Sequence, residues 1–212
     1  MKKNNLPNKI PIFPLTNAVF FPKTVLPLNI FEDRYIQLVD DCMKGERLFG
    51  MIQPKIKIGL KPEVYKVGCL GKIISFNETK DKRFLINLSG ITRFKIMEEL
   101  TSEKLYRKFK VDYSEFVEDL STLAPNKKNL DLSNLLNKIK NYFKKLNYSV
   151  EYKELVKLNF EQLIDTVCMI SPFTSEEKQK LIETIKVEDK YKVLEEIIDF
   201  SLVSHLENKT IQ

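Results

Sequence analysis

The chain has 212 residues, 43% hydrophobic and 30% charged, with a formal net charge of +6. That length supports a sizeable core in one or two domains, and the balance excludes an intrinsically disordered chain. No apolar run approaches the roughly 18 residues of a membrane helix, and Met1–Pro7 is basic with no apolar segment behind it, so neither a span nor a secretory signal is expected.

The first 117 residues read as strands with one inserted helix. Ile10–Leu15, Val25–Leu28 and Leu48–Ile52 are short apolar runs whose prolines suit edges and strand ends. Between them Phe31, Tyr35, Leu38, Val39, Cys42 and Met43 recur with helical spacing. Asn29 and Glu32 have capping-box spacing in front of that helix, and Gly45 closes it. Val67–Phe76 is a longer strand broken by Gly68 and Gly71, positions that suit bulges or close backbone approach. A polar turn over 78–82 joins it to 83–89, and Gly90 predicts a bend before Ile91–Met97. Tyr106–Tyr113 alternates with period two. Many short strands with Gly and Pro corners predict a small barrel.

Residues 118–130 lack periodicity and contain Pro125, Lys127 and Lys128, the composition of a linker. Residues 131–212 read as helices. Leu132, Leu135, Leu136, Ile139, Phe143 and Leu146 form one stripe; Asn159 with Gln162 and Thr174 with Glu177 each open a helix as a capping box. Ser171–Pro172 separates these two, because the residue before proline avoids helical geometry. Tyr191, Leu194, Ile197, Ile198, Leu202 and Leu206 form the last stripe.

Catalytic chemistry is missing from this pattern. His205 is the one histidine, on a helical stripe near the end, so His-based triads and metal sites lack a second member. Cys42, Cys69 and Cys168 lie far apart among apolar neighbours and read as buried reduced thiols of a cytoplasmic protein. No phosphate-binding glycine loop occurs, and no cofactor is expected. The charge is uneven: residues 1–120 hold 21 Lys and Arg against 15 Asp and Glu, and the remainder is balanced. A basic first half keeps nucleic acid open as a partner, although five Arg among 35 basic residues is a poor supply of bidentate groups.

One resemblance stands out. Ile10–Leu15, Phe21-Pro22 and Leu26–Tyr35, then Tyr65–Ile73 and Leu88–Ile96, resemble the N-terminal substrate-binding domain of Lon proteases in motif and order. Ser171-Pro172-Phe173 and Glu177-Lys178-Gln179 match more loosely. The similarity is greatest to the free-standing bacterial members, in which that domain is the whole protein.

The resemblance implies an α+β fold: a PUA-like β-barrel with one inserted helix, followed by a C-terminal helical bundle. It also implies a non-catalytic module that binds unfolded or partner polypeptide segments, such as an adaptor in protein quality control; RNA binding by the basic barrel is the alternative. The candidate peptide contacts are Phe20, Phe21, Arg34, Tyr35 and Arg93. Adjacent aromatics on a strand face opposite ways, so at most one of Phe20 and Phe21 is expected in the core. Capping or local ion pairing is the competing role for Glu32, Arg34 and Arg93.

Overall fold

The computed structural model describes residues 6–16, 18–55, 63–121 and 132–210, with side chains to residue 202. Six strands, β1 (Lys9–Pro14), β2 (Val25–Ile30), β3 (Leu48–Ile52), β4 (Val67–Glu78), β5 (Phe84–Leu100) and β6 (Arg107–Asp112), form one mixed sheet in the order β2-β5-β4-β3-β1-β6. β6 also pairs with β5, so five of the strands close a barrel. The length of β5, 17 residues, makes the closure possible. Its first half lies between β2 and β4, and its last third reaches β6. Extra residues at Ile74 on β4 and at Ile91 and Met97 on β5 shift the register, and such bulges bend a strand and increase its twist. The bend expected at Gly90 is therefore a bulge at its neighbour within one continuous strand. Gly90 itself is required by proximity: a Cβ there would lie 2.1 Å from the Phe21 carbonyl oxygen.

α1 (Asp33–Met43) links β2 to β3, which runs parallel to β1. Asn29 does not cap it. Asn29 is still in β2, and Glu32 takes the N-cap position, its backbone carbonyl accepting from the N–H groups of Tyr35 and Ile36. Five further helices follow: α2 (Leu132–Lys145), α3 (Tyr152–Leu155), α4 (Phe160–Ile170), α5 (Ser175–Glu183) and α6 (Val187–Thr210). Both expected capping boxes form, at Asn159 and Thr174, and α4 stops one residue before Ser171-Pro172.

Apolar side chains collect in two layers. Ile10, Ile12, Leu48, Leu70, Phe94 and Phe109 fill the barrel. Phe13, Phe49 and Met51, on the opposite faces of the same strands, meet α1 and the helices in a second cluster that continues through Leu163, Leu181 and Ile198. β3 is buried at all five positions because both its faces are covered, which is why it reads as an unbroken apolar run.

The first residues of the expected linker continue a 3-10 helix, with Glu118 and Ser121 exposed and Asp119 buried. That helix, Ser114–Leu120, also buries Phe116. Residues 122–130, with Lys127 and Lys128, and the side chain of His205 lie outside the described residues.

Candidate functional site

Four of the five sequence candidates are interior. Phe20 and Phe21 are 1% and 0% exposed, Tyr35 5% and Arg93 3%. Both phenylalanines are buried because residues 18–21 are not in a strand, so the two-face alternation does not apply to them. Phe20 packs beside Gly71, where a Cβ would come within 2.8 Å of its ring. The Lys190 ammonium lies 5.6 Å above the Phe21 ring and 2.6 Å from Asp165, a pair buried between α4 and α6. Burial raises the Asp165 pKa, opposed by the Lys190 charge. Tyr35 stacks on Phe13 at 4.0 Å, and its hydroxyl donates to the Pro14 carbonyl. Arg34 alone is exposed, paired with Glu32 at 2.6 Å and lying over the Tyr35 ring.

Arg93 joins the barrel to the helices. From β5 its guanidinium grips the Asp119 carboxylate at 2.7 and 3.0 Å, and it donates to the carbonyls of Ile182, Thr184 and Ile185 at the end of α5. Burial opposes its charge, but the Asp119 hydrogen bonds and charge outweigh that and raise the pKa. The three thiols carry no nucleophile: burial pushes Cys42 to about 12 and Cys69 and Cys168 well above the ordinary value.

The surface that offers itself to a ligand lies elsewhere, on the arm where β4 and β5 project beyond β3. β3 pairs with β4 no further than Lys72, and the Ile73 N–H goes to the Arg47 carbonyl. Beyond that point, Ile74–Glu78 has no strand on its outer edge among the described residues and is exposed at every position. Ile74 is 55% and Phe76 38% exposed. The outer edge of β2 is also unpaired among the described residues, but Pro27 interrupts it, a device that blunts edges. The β4 segment has no proline and no charge before Glu78.

Phe76 contacts Phe84 at 4.9 Å between ring centres, and Phe84 lines a cleft of about 630 Å³ under the tip of the β4–β5 hairpin. Phe31, Ile36 and Phe84 supply its apolar wall; Asp33, Asp40, Glu78 and Asp81 supply carboxylates. Of its two cations, Arg83 is held by Asp81 at 2.8 Å. The site thus combines open backbone hydrogen-bonding groups, an apolar face and a negative end. No contiguous motif marks it, because the overhang depends on where β3 stops pairing with β4.

A closed barrel with a helical layer and an open strand edge defines the architecture of this domain. The family model for the ATP-dependent protease La (LON) substrate-binding domain matches residues 9–199. The chain belongs to that family. It is 26% identical over 209 residues to the Lon protease of Anaeromyxobacter dehalogenans, an alignment covering 94% of this chain and 24% of that protein. The chain therefore spans about a quarter of the length of that curated relative. The same fold occurs in the Lon N-terminal domain protein from Xanthomonas campestris, with a TM-score of 0.61 at 18% identity over 88% of this chain and 96% of that one. It occurs also in the N-terminal domain of Mycobacterium avium complex Lon protease, with a TM-score of 0.57 at 16% identity over 90% and 98%. The matched region is a substrate-binding domain, not a catalytic one. No helix among the described residues is long and apolar enough to cross a membrane.

Proposed function

We propose that this domain captures extended polypeptide segments by adding them to the outer edge of β4, as a non-catalytic recognition module or adaptor in cytoplasmic protein quality control. The observation that carries this reading is the unpaired, proline-free edge Ile74–Glu78 with Ile74 and Phe76 exposed beside it. Strand addition draws affinity from main-chain hydrogen bonds and selectivity from alternate side chains. Apolar side chains of the segment would rest on Ile74 and Phe76, and a basic one would enter the acidic cleft beside Glu78. Membership of the substrate-binding family supports polypeptide as the ligand class. RNA receives less support: Arg34, Arg83, Arg93 and Arg107 are each paired with a carboxylate.

The test is fluorescence anisotropy with a labelled decapeptide of alternating Val and Thr ending in Arg, beside a labelled single-stranded RNA. Ile74→Lys and Phe76→Lys should each weaken the peptide at least about fivefold; Ile74→Lys should do so without shifting the unfolding temperature, because its side chain is more than half exposed, whereas Phe76→Lys also loses the contact with Phe84 and should melt somewhat lower. Unchanged peptide affinity in both variants, or RNA bound more tightly than peptide at 200 mM salt (roughly physiological ionic strength), would overturn the reading.

A further inference from the structure

At the opposite end of α1 lies a second concavity, of about 590 Å³, between the α1–β3 turn and strands β1 and β6. That volume lies within the range of small-molecule sites. Its accessible apolar surface comes from the half-buried Pro7, Pro11 and Leu100, with Tyr106 buried behind them. Its rim is basic: Lys9, Lys44, Arg47, Lys104 and Lys108 against Asp41 and Glu46.

The carboxylates leave most of that charge unmet. Asp41 draws Lys104 to 2.9 Å and Lys44 to 3.7 Å and accepts from the Tyr106 hydroxyl at 2.9 Å, which fixes one wall. Lys9, Arg47 and Lys108 have no carboxylate partner among the described residues. Arg47 adopts a left-handed backbone with φ 63°, although Gly45 stands two positions earlier with φ negative. The turn is held there by the Arg47 N–H donating to the Cys42 carbonyl and the Ile73 N–H donating to that of Arg47. A side chain is thus kept on the rim at a position where glycine would sit without strain.

We propose that this pocket binds a small phosphorylated ligand, its phosphate held by Lys9, Arg47 and Lys108 and its apolar body laid against Pro7, Pro11 and Leu100. A doubly charged phosphate matches several cations on one rim better than a single carboxylate does, and ammonium groups bind it as point charges without the bidentate geometry that a planar acid rewards; the Lys108 ammonium already lies 5.6 Å over the Tyr106 ring. A long nucleic acid fits less well, because the other four arginines are tied to carboxylates and offer no continuous track beyond the pocket.

Isothermal titration of the full chain with adenosine 5′-monophosphate tests this, with adenosine, inorganic phosphate and a short single-stranded RNA as the other arms. The monophosphate should bind and adenosine should not, and inorganic phosphate should displace it. A Lys9→Gln/Lys108→Gln double variant should lose at least about tenfold in affinity. Arg47→Gly should also lose affinity while unfolding at or above the parent's temperature, which separates a lost ligand contact from a damaged fold. Phe76→Lys should leave this binding unchanged, so the site fails or stands independently of the peptide edge. No heat from the monophosphate at millimolar concentration, undiminished affinity in both pocket variants, or RNA binding that the monophosphate does not displace would overturn the proposal.

Discussion

Replacing Arg93 with methionine probes the joint between barrel and helices. Methionine keeps much of the volume and removes the guanidinium. It leaves the Asp119 carboxylate, 3% exposed, with the Arg93 backbone N–H at 2.8 Å as a remaining donor. Breaking one side of a buried ion pair costs about 3–5 kcal/mol, because the remaining charge is uncompensated. The carbonyls of Thr184 and Ile185 lose charged donors as well, but they are at the solvent side of the joint and water replaces part of what they lose. A loss of about 4 kcal/mol is about a quarter or more of the 5–15 kcal/mol that usually holds a folded domain. With a urea dependence of about 2–2.5 kcal/mol per M, the unfolding midpoint should fall by about 1.5–2 M. Urea titration followed by far-ultraviolet circular dichroism measures it, with emission from the eight tyrosines as a second probe, since the chain has no tryptophan. Arg93→Met/Asp119→Leu should recover most of the loss, because removing both charges removes the desolvation cost with the attraction. A single variant that loses less than about 1 kcal/mol, or a double variant no better than the single, refutes the assignment of Arg93 as the joint.

Gly90→Ala should cost at least about 2 kcal/mol by thermal melting, since its new Cβ meets backbone that cannot swing aside, whereas Gly45→Ala, whose Cβ finds its nearest neighbour at 3.9 Å, should stay within about 0.5 kcal/mol of the parent. The native protein at pH 8 should withhold all three thiols from a disulfide reagent and release them in urea, because burial holds Cys42, Cys69 and Cys168 protonated. The folded Cys42 pKa of about 12 exceeds its ordinary value of 9.0, so its contribution to stability is complete below pH 9 and is lost as pH rises from 9 to 12. Alkaline unfolding in that window should be shallower for Cys42→Ala.

Local pattern specified much of this protein. Alternation and glycine corners announced the strands, and the Asn159 and Thr174 boxes opened helices where expected, because such hydrogen bonds span three residues and need nothing from the rest of the chain. The spaced motifs of the first hundred residues identified the family. Asn29 shows the limit of this reasoning: its spacing to Glu32 suited a cap, yet pairing with Leu85 extended β2 through it. Phe20 and Phe21 show it again, since a rule for strands says nothing of a segment that leaves the sheet. Tertiary structure alone decided that Arg93 meets Asp119, 26 positions away, and the end of α5 some 90 positions away. It also decided that β4 outruns β3 and leaves an edge open, and that cations from β1, the α1–β3 turn and β6 share one rim. Burial, edge exposure and converging charge are properties of surfaces assembled from distant segments, and the order of residues in one segment does not specify which others close over it.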